Sequence, residues 1–99
     1  MEEKKWHKAK KMFLDIIASL EKDERNAKLV GKAYYNLAIV NENLGEFDAM
    51  FRNAKKAHSY LDSKKSKEYF QKAKYRKNAD EKLDQQMQKA NQDNEQDNR

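Results

Sequence analysis

The feature that most constrains the fold is the stretch from Ala33 to Ala57, in which two amphipathic helical patterns are separated by the single glycine Gly45. Before the glycine, apolar residues recur at spacings of three and four, which places them on one face of a helix. The same period resumes directly after it. Glycine reaches positive φ at little cost and commonly follows the last residue of a helix. The stretch therefore predicts two antiparallel helices joined by a tight turn at Gly45.

The composition favours helices along the rest of the chain. Its 99 residues include no proline and only two glycines, so little interrupts a helix. Lys, Glu, Ala, Gln and Asn are abundant, which argues against a sheet. The length allows one domain with a thin core. The lack of cysteine excludes disulfides, thiol nucleophiles and thiolate metal sites.

Apolar periodicity predicts four helices, at residues 3–22, 27–44, 46–61 and 66–87. In the last of these helices Arg76 and Asp80 interrupt the apolar stripe, which predicts that the middle of the helix packs weakly. The fold class is therefore an all-α, antiparallel array of about four helices, occupying residues 3–89. The remaining residues, 90–99, are polar and are predicted to be a disordered tail.

Targeting and membrane signals are lacking in the sequence as given. Residues 1–11 carry five lysines and no apolar run, so we expect no signal peptide. The longest apolar cluster, MFLDIIASL, is far shorter than the ~20 residues needed to cross a bilayer. We therefore expect no membrane insertion by this segment.

The residues around Gly45 resemble a tetratricopeptide repeat, a helical hairpin that stacks on its neighbours. The matching positions are Tyr34, Leu37, Ala38, Gly45, Phe47 and Ala57, whereas Asn41, Met50 and Ala54 depart from the family pattern. An echo supports the resemblance, because the spacing Trp6-x2-Ala9-x3-Phe13-x2-Ile16 recurs from Phe47, 41 positions later. The family period is 34, so an extra seven residues would lengthen the loop between repeats. The resemblance implies a protein-interaction or scaffold module.

A narrower resemblance is to the C-terminal part of an uncharacterised family of Bacteroidota lipoproteins. The positions that carry it are Trp6, Tyr35, Asn36, Ala38, Glu42, Gly45, Tyr69 and Arg76. The family's N-terminal portion, with its lipobox cysteine, is not in this sequence. The resemblance implies a fragment of a larger bacterial envelope protein in the cell envelope or periplasm; without it, we expect a cytoplasmic protein.

Signs of catalysis are lacking. The two histidines, His7 and His58, each lie on a polar helical pattern with no second histidine and no converging carboxylates, so we interpret both as solvated surface residues. There is no Gly-rich phosphate loop, no HExxH and no Ser/His/Asp set. The sequence therefore predicts no enzyme, no cofactor and no metal site.

The tetratricopeptide resemblance implies where a protein or peptide partner would bind. In that family the first helix of each repeat lines the concave surface, which corresponds here to Lys32, Tyr35, Asn36, Ile39 and Asn43. Asn36 suits a backbone or carboxylate contact, and Lys32 adds charge for an acidic peptide. The alternative is that one and a half repeats form no groove and that Asn36 satisfies a neighbouring backbone group.

A second candidate surface is the basic stretch of the fourth predicted helix, and it would make the chain a nucleic-acid-binding domain. Its residues are Lys64, Lys65, Lys67, Lys72, Lys74, Tyr75, Arg76 and Lys77. Lysines can hold phosphates while aromatic rings stack on bases. The structural alternative is that Tyr69 and Phe70 face the hairpin while the lysines coat a solvated face.

The echo also predicts how the first helix packs. Trp6 heads the same spacing as Phe47, so we expect it to anchor that helix on the second one. We also expect that the helix lacks a preceding neighbour at Trp6, Phe13 and Ile17, because repeat units rarely bury their faces alone. This predicts exposed apolar surface there, covered by self-association or by a missing N-terminal part of the same protein.

Overall fold

The computed structural model describes the backbone of residues 2–97 and the side chains of residues 3–89. It contains four helices, α1 Glu2–Leu20, α2 Ala27–Asn43, α3 Phe47–Leu61 and α4 Lys64–Asp97, and a 3₁₀ turn at Glu24–Asn26. No strand occurs in residues 2–97. The helices pack mainly in sequence order, α1 on α2, α2 on α3 and α3 on α4. The predicted all-α array is confirmed.

The turn at Gly45 has the predicted conformation. Its φ is +75°, and the Glu46 backbone N–H donates to the Asn41 carbonyl over 2.9 Å. A Cβ added at Gly45 would meet no atom within 4 Å, so the turn needs glycine for its backbone angle and not for space. The prediction of a positive φ at Gly45 between two helices is confirmed.

A polar cluster fixes α1, α2 and α3 to this turn. Asn41, 1% exposed, donates to Glu46 Oε1 over 2.9 Å and accepts from Asn53 Nδ2 over 2.7 Å. Lys10 of α1 reaches Glu46 at 3.0 Å. Partial burial by itself would raise the pKa of Glu46, but the hydrogen bonds from Lys10 and Asn41 together hold that pKa below its ordinary value. The buried Asn41 amide thus satisfies polar groups on both sides of the turn.

The other glycine, Gly31, is needed for space and not for its backbone angle. A Cβ at this position would lie 2.8 Å from Leu61 Cγ and from Tyr60 Cβ. Gly31 therefore lets the start of α2 approach the end of α3 closely. Helical periodicity alone did not indicate this role.

The start of α4 is capped by a pair of serines. Ser63 Oγ accepts from the Ser66 backbone N–H over 3.0 Å, and Ser66 Oγ accepts from the Ser63 backbone N–H over 3.0 Å. This reciprocal pattern satisfies two orphan donors of a helix terminus. Asp62 precedes it in the left-handed region with φ 43°. By contrast, Asn26, the residue before α2, makes no capping hydrogen bond with its side chain and donates its Nδ2 to the Leu20 carbonyl over 3.3 Å.

The core includes two clusters, with Val30, Val40 and Ala57 buried outside them. The α1–α2 cluster contains Ile17, Ala33 and Leu37, with Phe13, Ile16 and Tyr34 packed against it. The central cluster contains Ala38, Met50, Ala54, Tyr69 and Ala73, with Tyr35, Ile39, Phe47 and Phe70 around it. Ile17 of α1 is buried in the α1–α2 cluster, whereas Trp6 is half-buried and belongs to neither cluster. The packing of Trp6 on α2 stays a prediction.

The fourth helix continues beyond its packed part. Tyr69 and Ala73 are buried, whereas every residue from 78 to 89 is exposed. Arg76 and Lys77 end the packed part, with the Arg76 guanidinium 4.5 Å from the centre of the Phe47 ring and Lys77 Nζ 5.4 Å from that of Phe51. The helical backbone extends to Asp97 instead of ending at Met87. The predicted tail, 90–99, falls on residues whose side chains lie outside the described part of the chain.

Candidate functional site: a basic groove between α2 and α4

A groove lies between the first half of α2 and the start of α4. Its volume is about 460 Å³ and its lining is Lys28, Lys32, Tyr35, Asn36, Leu61, Ser63, Lys65 and Ser66. Three of these residues are lysines and none is acidic. All three lysines are exposed, and so is Asn36. We call these eight residues the α2/α4 groove.

Aromatic contacts place α4 beside α2 at this groove. The Tyr35 and Tyr69 rings pack with their centroids 5.0 Å apart, and Tyr69 Oη donates to Glu42 Oε1 over 2.8 Å. Lys65 Nζ lies 5.5 Å from the centre of the Tyr35 ring, which is within the range of a cation–π contact. Tyr35 therefore forms an aromatic wall against which one lysine of the groove is already held.

Glu42 is the acidic residue that α2 directs toward α4, and its charge is already engaged. It accepts from Tyr69 and forms an ion pair with Lys72 at 3.3 Å. Burial, followed by the hydrogen bond to Glu42, raises the pKa of Tyr69 far above its ordinary value, so the phenol remains a donor at neutral pH. Because these partners occupy Glu42, it does not neutralise Lys28, Lys32 or Lys65.

The five residues predicted to bind a partner are divided by the structure. Lys32, Tyr35 and Asn36 line the groove together. Ile39 instead packs on the central cluster, and Asn43 donates its Nδ2 to the Ile39 carbonyl over 2.8 Å. The predicted peptide site did not include Lys28, Leu61 or Lys65, and Lys65 was assigned instead to the basic stretch of the fourth predicted helix. The spacing of four that relates Lys28, Lys32 and Asn36 could have indicated the first of these.

The basic residues of α4 are not a single patch. Lys72 pairs with Glu42, Arg76 covers Phe47, and Lys77 pairs with Glu81 at 2.8 Å while lying over Phe51. Lys65 belongs to the groove. The rest of the predicted set, Lys64, Lys67, Lys74 and Tyr75, is exposed too, and at 77% Tyr75 is the most exposed large apolar side chain among residues 3–89. Tyr69 and Phe70 face the hairpin, as the structural alternative predicted.

The histidines differ from each other. His7 is exposed, whereas His58 is half-buried, with Nδ1 2.8 Å from Ser66 Oγ and its ring stacked on Phe70. The interpretation of His58 as a solvated surface residue is therefore wrong, because it helps to hold the start of α4. Among the described residues, no group of three or more His, Cys, Asp or Glu side chains could hold a metal ion.

Comparison of the chain with protein-family models, with curated proteins and with solved structures finds no match. None of the described helices is long and apolar enough to span a bilayer. The geometry of the groove is thus the basis for a functional proposal.

Proposed function

We propose that the protein is a non-enzymatic interaction or scaffold module that binds an acidic segment of a partner protein in the α2/α4 groove. The observation that carries the proposal is the convergence of Lys28, Lys32 and Lys65 around Tyr35 and Asn36, with no acidic residue in the lining. Lysines supply positive charge from both helices. Asn36 offers a donor and an acceptor to a peptide backbone.

The exposure of the groove determines what kind of binding to expect. Contacts between exposed charges contribute little individually and are screened by salt. The aromatic wall at Tyr35 adds apolar contact area that salt does not weaken. We therefore expect an affinity on the order of micromolar that decreases as salt is added.

The tetratricopeptide resemblance supports the same proposal independently of the groove. The α2–α3 hairpin has the turn glycine and the small residues of that family at Gly45, Ala38 and Ala57, and the last two are fully buried. We further propose, from the narrower resemblance, that the chain is part of a larger envelope lipoprotein of Bacteroidota. Cell fractionation followed by mass spectrometry tests the envelope proposal, and detection of the chain only as a short product in the cytoplasmic fraction would refute it.

The test is a titration of fluorescently labelled acidic peptides, followed by anisotropy, against neutral peptides of the same length. The variant Lys28→Gln/Lys32→Gln/Lys65→Gln should lose at least about tenfold in affinity, since three favourable charges are removed. The matched control is Lys55→Gln/Lys67→Gln/Lys74→Gln, which removes the same charge from exposed positions outside the groove. Equal loss in both variants would show that only net charge matters and would refute the groove.

The alternative function is nucleic-acid binding, and one observation favours it. Tyr75 projects from α4 on the same exposed helix as Lys64, Lys67 and Lys74, so a base could stack on it. Random-sequence DNA and RNA should then bind with a steep salt dependence, and Tyr75→Ala should weaken that binding. The two triple variants separate the functions, because Lys67 and Lys74 matter only in the second.

A further inference from the structure

The lysines of the α2/α4 groove surround one small area of its surface. Lys28 and Lys32 are four residues apart on α2, and both line the groove. Tyr35 is three residues beyond Lys32, and Lys65 Nζ of α4 lies 5.5 Å from the centre of its ring. Residues three or four apart are neighbours on a helix surface, so Lys32 has a lysine within about one turn on either side. Three positive charges from two helices therefore meet around Lys32.

The protein does not neutralise these three charges. Among residues 3–89, no ion pair joins Lys28, Lys32 or Lys65 to an acidic side chain. The acidic residues that flank these lysines along the chain are outside the groove lining, namely Glu24, Glu42, Asp62 and Glu68. Neighbouring like charges repel each other, so the grouping of the lysines is unfavourable until an anion binds between them.

The start of α4 adds to the positive potential of the groove. Ser63, Lys65 and Ser66 of the lining lie at this end of the helix. The capping pair uses the Ser66 N–H, and the Lys67 N–H donates to the Ser63 carbonyl over 3.0 Å. The N–H groups of Lys64 and Lys65 belong to the first turn and so have no intrahelical acceptor. The helix end, with its partial positive charge, thus strengthens a site that the lysines already define.

A phosphate monoester matches this arrangement better than a carboxylate does. It carries a charge of about −1.5 to −2 at neutral pH and presents three acceptor oxygens on one phosphorus atom. A carboxylate carries a single charge on two oxygens. Side chains on the same side of an extended peptide are about 6.6 Å apart, so separate carboxylates do not concentrate their charge at one point. One phosphate can accept from all three ammonium groups and neutralise more of their charge.

We propose that the partner segment bound in the α2/α4 groove is phosphorylated, and that its phosphate binds between Lys28, Lys32 and Lys65. The inference rests on the proposed function, because it names the chemical group that the same groove recognises. Asn36, four residues beyond Lys32, remains available to the backbone of the bound segment. Binding then depends on the phosphorylation state of the partner.

The first test uses three labelled acidic peptides that are identical except at one position, which is phosphoserine, glutamate or serine. Titration with the full chain, followed by anisotropy, should show the phosphoserine peptide binding at least about threefold more tightly than the glutamate peptide and tenfold more tightly than the serine peptide. We call the first of these ratios the phosphate preference. Equal binding of the phosphoserine and glutamate peptides overturns the inference and leaves the proposed function standing. Failure of all three peptides to bind refutes both.

A pair of variants tests where the phosphate binds. Lys32→Gln removes the central lysine and should reduce the phosphate preference to about half or less, because the remaining lysines are then about two turns of α2 apart from a shared oxygen donor set. Lys67→Gln removes the same charge from an exposed position outside the groove and should leave the preference unchanged. A preference that survives in Lys32→Gln, or that falls equally in both variants, overturns the inference.

A pH series tests whether the bound group is a phosphate dianion. The second pKa of a phosphate monoester is about 6, and the dianion should bind three lysines more tightly than the monoanion. The phosphate preference should therefore rise at least about twofold from about pH 5.5 to about pH 7.5. The glutamate peptide keeps its single charge over this range and so corrects for titration of the protein itself. A preference that does not change with pH overturns the inference.

Vesicles that contain phosphatidic acid test a lipid source of the same group. We expect them to compete with the phosphoserine peptide equally well in the wild type and in Lys32→Gln, because a membrane surface attracts the net positive charge of the chain without using the groove. Vesicle binding that is lost in Lys32→Gln and kept in Lys67→Gln, without a phosphate preference among the peptides, would assign the groove to a membrane surface and overturn the inference.

Discussion

The two parts of α4 differ although they are one continuous helix. Residues 64–77 bury Ser66, Tyr69 and Ala73 at spacings of three and four, whereas residues 78–89 are all exposed. This exposed part of α4, residues 78–89, which we call the overhang, nevertheless carries the apolar residues Leu83 and Met87, four apart on one face of the helix. The cause of the difference is the length of the partner, since α3 has 15 residues and begins at Phe47, beside Arg76. An apolar stripe predicts which face of a helix can be buried. The length of the neighbouring helix determines how much of that face is buried.

The largest expected effect compares two alanines on α4. Ala73→Asp introduces a charge where the native residue is 0% exposed, so we expect the free energy of unfolding to fall by roughly 3–5 kcal/mol. Ala79→Asp, in the overhang, should change it by less than about 0.5 kcal/mol. Urea denaturation followed by circular dichroism measures both. Similar losses would mean that the overhang is packed in solution, which would contradict the division of α4.

The next effect concerns buried and exposed asparagines. Asn41→Ala removes the bonds to Glu46 and Asn53 at the turn, and we expect a loss of roughly 1–3 kcal/mol because these polar groups lose a partner. Asn78→Ala, at the start of the overhang, is the control and should be nearly neutral. The same denaturation experiment tests the pair, and a neutral Asn41→Ala would mean that water replaces the amide.

A smaller loss is expected at the turn glycine. Gly45→Val should cost about 1–2 kcal/mol, because a branched residue is strained at a φ of +75°. Gly45→Asn should cost less, since asparagine tolerates this region better. Thermal unfolding can rank the three proteins. If valine were tolerated as well as asparagine, the turn would not require the left-handed conformation.

The smallest effect is a pH dependence. The pKa of Glu46 is held below its ordinary value by Lys10 and Asn41, so the carboxylate contributes stability above the unfolded-state pKa, and this contribution is lost as the pH falls through the folded-state pKa. Glu46→Gln should therefore flatten the stability profile on the acid side of that window. Asp84→Asn in the overhang should leave the profile as in the wild type. Denaturation midpoints at several acidic pH values test this, and an unchanged profile in Glu46→Gln would refute it.

Local signals were sufficient for the helices and for the turn. Periodicity placed all four helices, and Gly45 marked the hairpin, because both depend on residues close in the sequence. Two assignments depended on tertiary contacts and could not be obtained in that way. Gly31 is explained only by the approach of Leu61, and His58 only by its contacts with Ser66 and Phe70.

The α2 side of the groove could be predicted from the sequence, whereas the α4 side could not. Lys32, Tyr35 and Asn36 of α2 were predicted from the resemblance to a tetratricopeptide repeat, and all three line the groove. Lys65 came into the groove because the Tyr35–Tyr69 contact and the Glu42 hydrogen bond set how α4 lies beside α2. That position depends on pairs far apart in the sequence, which no periodic pattern reports.

The packing of each helix on its neighbour in sequence determines how the chain can fold. Contacts between sequence neighbours close short loops, so the entropy lost before the first favourable contact is small. Proteins dominated by such contacts typically fold in microseconds to milliseconds. The α2–α3 hairpin, which has its own turn and part of the core, can form first, and α1 and α4 can then add to it in either order. We expect refolding of this chain to be fast, with amide protons exchanging most slowly in α2 and α3.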